Sequence, residues 1–169
     1  MQLRRRNVAV TIEVLYRQHG SALLLLASAI TGERSRAEDM VHQVFAKLLE
    51  NGNLSHVLDV KAYLFACVRN AALNNIKARQ PDVVLNEESA WFAPPNRDFV
   101  EELNLRRALY ALPDDQRQVT ILHVWGELTF SQIAQLLGIS SNTAASRYRY
   151  ALAKLREAMC VKENSSADS

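Results

Sequence analysis

A chain of 169 residues, 49% hydrophobic and 22% charged, is long enough to bury one large or two small cores without disulfide or metal staples. Its formal net charge of +2 and pI near 8.6 are too mild to demand a nucleic-acid partner, so any cationic surface has to be local. Cys67 and Cys160 are distant and form no C-x-x-C pair, which excludes a disulfide scaffold and fits a reducing cytosol.

The opening MQLRRRN has the charge of a targeting segment, but Glu13, Arg17, Gln18 and His19 interrupt any apolar run behind it. The apolar stretch Ala22 to Ile30 is about half the ~20 residues that a membrane span requires, so a buried helix in a cytoplasmic protein is expected. A first helix is predicted over roughly Thr11 to Ile30, weakened at Gly20 and closed by Gly32. Ser35 to Glu38 reads as a capping box. The helix it opens carries Val41, Val44, Phe45, Leu48 and Leu49 on one stripe and Glu38, Asp39, His42, Gln43 and Lys47 on the other.

Asn51-Gly52-Asn53 breaks the chain, and the loop runs to Asp59, a cap for a third helix from Val60 to about Arg79. Tyr63, Leu64, Cys67, Val68, Ala71 and Ile76 supply its apolar face. Lys61, Arg69, Asn70, Asn74, Asn75, Lys77 and Arg79 supply a basic and amide face without one carboxylate. From Gln80 to about Phe99, Pro81, Pro94, Pro95 and an excess of acids leave no helical period, so residues 81–99 read as a flexible linker whose Trp91 and Phe92 are candidates to dock on one of the domains. A fourth helix, Val100 to Ala111, has Leu105, Ala108, Leu109 and Leu112 at i, i+3, i+4, i+7. Pro113 restarts the chain, Asp114 and Asp115 suit a positive helix end, and Gly126 stops the fifth helix.

The stretch from Leu128 to Arg156 has the pattern of a helix-turn-helix. Thr129 and Gln132 form a T-x-x-Q capping box, and Phe130, Ile133, Ala134 and Leu137 share a face. Gly138 suits a left-handed cap, with Ile139 plugging the corner. The second helix, starting from Ser140 or Ser141, buries Ala144, Ala145, Tyr148, Leu152, Leu155 and Met159. It shows Asn142, Thr143, Ser146, Arg147, Arg149, Tyr150 and Lys154 to the outside, residue types that hydrogen-bond base edges and phosphates. Residues 161–169 read as a disordered tail.

Three classes of function meet this pattern. An enzyme has no support: His19, His42, His56 and His123 are scattered, no Gly-rich phosphate loop occurs, and neither metal nor cofactor is expected. An autonomous helix-turn-helix regulator with a sensor or dimerisation half explains the second half but not the basic third helix. A helical adaptor with two solvated basic faces is the third.

The motifs, taken together and in order, resemble the extracytoplasmic-function (ECF) sigma factors of bacterial RNA polymerase. Ala37-Glu38-Asp39-Met40-Val41-His42-Gln43-Val44-Phe45 is similar to that family's A-E-D-L-V-Q-E-x-F, and Tyr63-Leu64-Phe65 through Arg69-Asn70 to Asn74 to its W-L-x-x-x-x-R-N-x-x-x-D. Leu112-Pro113 through Arg117, then Thr143-Ala144-Ala145-Ser146-Arg147, is similar to L-P-x-x-x-R and T-V-K-S-R.

The resemblance implies an all-α protein of two helical domains: a sigma region 2 bundle over 1–80, and a region 4 helix-turn-helix over 100–160. It implies that Asp39, His42 and Gln43 face the core polymerase. Lys61, Arg69, Asn70, Asn74 and Lys77 would hold the single-stranded minus-ten element. Asn142, Thr143, Ser146, Arg147, Arg149 and Tyr150 would contact the duplex minus-thirty-five element. An anti-sigma factor is the implied regulator. His42 and Gln43 replace the family's Gln-Glu, Tyr63 its Trp, Asn74 its Asp, and Ala145 its basic residue.

Overall fold

The computed structural model describes residues 2–51, 54–78 and 97–166, with side chains over 11–51, 54–78 and 102–160. The described residues form helices and no strands: α1 (Gln2–Thr31), α2 (Arg34–Asn51), α3 (Val60–Lys77), α4 (Arg97–Ala111), α5 (Asp114–Val124), α6 (Phe130–Leu137) and α7 (Ser141–Ser166). The all-α expectation therefore holds.

Several boundaries move. α1 starts at Gln2 and passes through Gly20 without a break. α4 begins at Arg97, inside the stretch read as linker, and α7 continues to Ser166, so the tail read as disordered from 161 is helical over most of its length. The rest of the linker, with Trp91 and Phe92, and Arg79 lie outside the described residues. The capping box expected at Ser35 is absent. Gly32 turns the chain at a φ of 73°, and α2 then starts one residue before Ser35. Ser35 Oγ donates to Glu33 Oε1 at 2.7 Å, and Glu38 is held by Arg34 at 2.6 Å. Ser35 therefore lies inside α2, past the position from which a side chain caps.

α1, α2 and α3 pack together around Leu23, Leu26, Val41, Phe45, Leu64 and Val68, all buried. α4 to α7 enclose Leu109, Leu112, Val119, Leu122, Ile133, Ala144 and Ala151. These two groups of buried residues form one continuous core, because α1 lies on α5 and α3 on α6. Phe65 is the reason at α3. The apolar face expected there included Tyr63 and Ile76, yet these are exposed, while Phe65 is fully buried. Its ring sits at the α5–α6 turn, where a Cβ on Gly126 would come within 3.2 Å of Phe65 Cζ and 2.6 Å of the Leu122 carbonyl oxygen. Only glycine permits that approach. Leu49, expected inside, is exposed as well, and Met40 is buried in its place.

Polar contacts surround this apolar seam. Arg117 donates to the carbonyl oxygens of Leu109, Tyr110 and Leu112 at the end of α4, to Ala29 O near the end of α1 at 3.1 Å, and to Asp114. Carbonyls at helix ends lack the full complement of intrahelical donors, and a guanidinium adds charge-assisted bonds to them at the negative helix ends. Asp59 caps α3 by accepting from Ala62 N at 3.0 Å and accepts from Gln132 Nε2 of α6 at 2.6 Å.

Two outcomes follow from these contacts. Arg117→Met should lower the unfolding free energy by about 1–3 kcal/mol, read from urea titration, because part-buried carbonyls at two helix ends lose a charged donor. The Asp59 carboxyl is held below its ordinary range, first by the Ala62 amide, with Gln132 and Lys61 adding to it against the opposing effect of burial. A depressed carboxyl contributes stability above its unfolded pKa, and that contribution is lost as pH falls through the folded value. Asp59→Ala should therefore cost about 1 kcal/mol at pH 7 and flatten the decline in stability below about pH 4.

Candidate nucleic-acid interface

The helix-turn-helix is built as its sequence requires. Thr129 and Gln132 make the full reciprocal box, with Gln132 N donating to Thr129 Oγ1 at 3.2 Å and Thr129 N to Gln132 Oε1 at 2.8 Å. Gly138 closes α6 at φ 69°, in the left-handed region that a Cβ disfavours. Ser140 then caps α7, its Oγ accepting from Thr143 N at 3.0 Å and lying 2.8 Å from Thr143 Oγ1. Ala144, Ala151 and Leu155 of α7 face the core; Ala151 was not among the residues expected there.

That packing presents Asn142, Thr143, Arg149 and Tyr150 outward as exposed side chains. Tyr150 is 65% exposed. Ser146 and Arg147 are half-buried at the edge of this face. Ser146 Oγ accepts from Arg149 Nη2 at 3.2 Å, and Arg147 Nε turns back to Asp115 Oδ2 at 3.2 Å. Arg147 therefore ties α7 to the first turn of α5, a role that sequence reasoning did not give it.

His123 is the residue that sequence reading missed. From α5 its ring stacks on Phe130 of α6 at 4.4 Å and meets Tyr148 of α7 edge-on at 4.7 Å, while Nδ1 lies 2.8 Å from Leu128 O. One imidazole thus fixes the angle between the two helices of the motif. A lone histidine at the end of an amphipathic helix carries no such signal in sequence.

The α3 face is divided. Asn70, Asn74 and Lys77 are exposed, whereas Lys61 and Arg69 are half-buried. Lys61 Nζ donates to Glu127 O at 3.0 Å and Arg69 Nε to Gln118 Oε1 at 2.9 Å, both across the seam. Burial lowers the Arg69 pKa, but a guanidinium stays charged at neutrality. His19 of α1 lies beside Lys61 and Glu127; burial first, and then Lys61, push its pKa down against the pull of Glu127. On α2, Asp39, His42 and Gln43 are all exposed. His42 stacks on Tyr16 at 6.4 Å beside an open groove between α1 and α2. Among the described residues, no three His, Cys, Asp or Glu side chains are grouped to hold a metal ion, and no helix is long and apolar enough to cross a membrane.

The exposed faces of α7 and α3 lie in segments that match known families. Residues 15–81 match the family described as Sigma-70 region 2, and residues 102–155 match Sigma-70, region 4. The chain is 30% identical over 139 residues to the ECF RNA polymerase sigma factor RpoE of Cereibacter sphaeroides, covering 74% of this chain and 73% of that protein. It is 27% identical over 158 residues to SigL, an ECF RNA polymerase sigma factor of Mycobacterium tuberculosis, with 88% of each covered. Two solved structures share the fold. Sigma factor RpoE of Bartonella quintana, solved with the anti-sigma factor NepR, superposes at a TM-score of 0.72 with 24% identity over 88% of this chain and 96% of that one. CnrH, solved with the cytosolic domain of CnrY, superposes at 0.64 with 19% identity over 99% of this chain and 97% of that one. With both sigma regions in order and a relative at this level of identity, the chain belongs to the ECF sigma factors, which bind core RNA polymerase and direct it to promoter DNA.

Proposed function

We propose that this sigma factor reads a two-part promoter with two separate helices, α7 on duplex DNA and α3 on the displaced strand. The observation that carries this is the α7 face. Asn142, Thr143, Arg149 and Tyr150 stand exposed without a carboxylate among them, on a helix whose angle is fixed by Gly138 and His123. A helix so held fits the major groove, where Asn142, Ser146, Arg149 and Tyr150 reach base edges while Thr143 and Arg147 contact phosphates. This is the minus-thirty-five contact.

On α3, Asn70, Asn74 and Lys77 take the non-template strand of the minus-ten element, joined by Lys61 and Arg69. Unstacked bases offer their edges to amides, and the cations hold the backbone. The exposed Asp39, His42 and Gln43 on α2 face the polymerase. In this division residues 1–80 form the polymerase and minus-ten domain, 81–99 the linker and 100–160 the minus-thirty-five domain. The protein acts in the cytoplasm, where its polymerase is. It supplies binding and strand capture, and no side chain is assigned a catalytic step. Because the structural neighbour RpoE of Bartonella quintana was solved with an anti-sigma factor, a partner of that kind is the expected control.

An autonomous regulator would need a sensor or dimerisation unit in the N-terminal half. The region 2 match over 15–81 occupies that half.

Run-off transcription with purified core polymerase on a promoter library tests the reading: initiation from a defined set of templates is expected, and none on any template would overturn it. On the selected promoter, Arg149→Ala should weaken and blur upstream selection by ~1–3 kcal/mol, about five- to a hundredfold or more in affinity. Asn70→Ala should leave closed-complex binding intact and impair opening, read by permanganate reactivity of unpaired thymines. Both side chains are exposed, so melting temperatures should hold. If only the melting temperatures fall, the surfaces are wrongly assigned.

A further inference from the structure

Among the described side chains of α7, Arg147 is the one cation in an ion pair: its Nε lies 3.2 Å from Asp115 Oδ2, in the first turn of α5. On a helix that meets phosphates, an acid beside an arginine is at first sight a handicap, because it repels the DNA backbone and offsets the cation's charge. The geometry gives it another part.

Asp115 is held at both oxygens. Its Oδ1 accepts from Gln116 N at 2.9 Å, at the positive end of α5, while its Oδ2 faces Arg147. The carboxylate is thus anchored to the backbone of one helix and grips the arginine of another by its inner nitrogen. Among the described residues, none bonds Nη1 or Nη2 of Arg147. The Arg147 side chain is 30% exposed and that of Asp115 48%, so the pair lies at the edge of the α7 face with solvent on one side.

We propose that Asp115 is a positioning residue for DNA binding: it holds the Arg147 guanidinium by Nε, with the two terminal nitrogens turned to a phosphate of the upstream duplex. The inference rests on the promoter reading for the phosphate contact of Arg147, and on the α5–α7 pair for the role of Asp115.

Two opposed effects decide what the acid does. An unanchored arginine loses rotamer freedom on binding, which lowers affinity about two- to tenfold for each long side chain immobilised; a guanidinium already fixed in the free protein loses little. Against this stands repulsion between Asp115 and the phosphates, a charge interaction that about 0.15 M salt screens over ~8 Å. Ordering is not screened, so it sets the sign. If charge alone mattered, removing the acid would tighten binding; here it weakens binding.

The full-length chain, assembled with core polymerase, is titrated onto a fluorescent duplex that carries the selected upstream element. Asp115→Asn offers one acceptor oxygen to two donors and should weaken binding about two- to tenfold at about 0.15 M salt. A phosphate contact carries no sequence information, so the preference over single-base variants of the element should stay as it is. Arg147→Ala should weaken binding and lower the slope of log affinity against log salt by about one, and adding Asp115→Asn to it should cause no further loss. Unchanged or tighter binding by Asp115→Asn, an equal loss in the Arg147→Ala background, or an altered base preference would each overturn the positioning role, the last because the pair would then set the angle of α7. Should Asp115→Asn fail to fold by circular dichroism, Asp115→Ser, which suits a helix start, decides by the same criteria. If Arg147→Ala matches the wild type in affinity and salt slope, the phosphate contact in the promoter reading is wrong and the inference falls with it. A loss with Arg147→Ala but none with Asp115→Asn overturns the inference alone and leaves that reading standing.

Discussion

Arg117 is the interaction on which the arrangement of helices depends. Helix ends expose carbonyl oxygens that no residue of the helix can satisfy, and burying them unpaired is costly. One guanidinium collects the last carbonyls of α4 and reaches Ala29 O at the end of α1. It thereby turns α4 into α5 and fastens the C-terminal helices to the N-terminal bundle. Its side chain is 13% exposed, so these bonds form where water competes poorly. The L-P-x-x-x-R spacing is what this requires: the proline starts α5, and the arginine one turn later points back over the preceding helix end.

From that junction the two surfaces proposed to meet DNA acquire different characters. The helix-turn-helix is stiffened from within by a reciprocal capping box, a left-handed glycine and a three-ring cluster around His123. Such a unit suits duplex DNA, whose groove geometry is fixed and rewards a fixed helix. α3 has a different setting. Its first turn is tied through Asp59 and Lys61 to the other half of the molecule, while Asn70, Asn74 and Lys77 further along are exposed. A surface that is partly engaged elsewhere suits a target that becomes available only when strands separate.

Much of this was legible in the sequence where local rules govern. The box at Thr129 and Gln132, the cap at Gly138, the cap by Asp59 and the periodicity of α6 are short-range matters, and all appear as read. Reading was less successful where distant parts of the chain decide. Phe65 lies off the stripe that α3 presents to its own bundle, so periodicity could not foresee that it would be buried against Gly126 from another domain. The double duty of Gln132, the tie between Arg147 and Asp115, and the ring cluster at His123 have the same origin. Ser35 misled for a local reason: α2 begins at Arg34, so Ser35 sits in its first turn and its hydroxyl donates to Glu33. The outward residues of α7 were identified from residue type and face together, and each of Asn142, Thr143, Arg149 and Tyr150 is exposed.

The central claim is that two helices of one chain grip separate parts of one promoter. Site-specific photo-crosslinking from positions 149 and 70, in the complete complex with core polymerase and promoter, tests it most directly. Position 149 should mark duplex DNA around minus thirty-five, and position 70 should mark the non-template strand around minus ten. Crosslinks from both positions to one and the same DNA segment, or from neither to DNA, would contradict it.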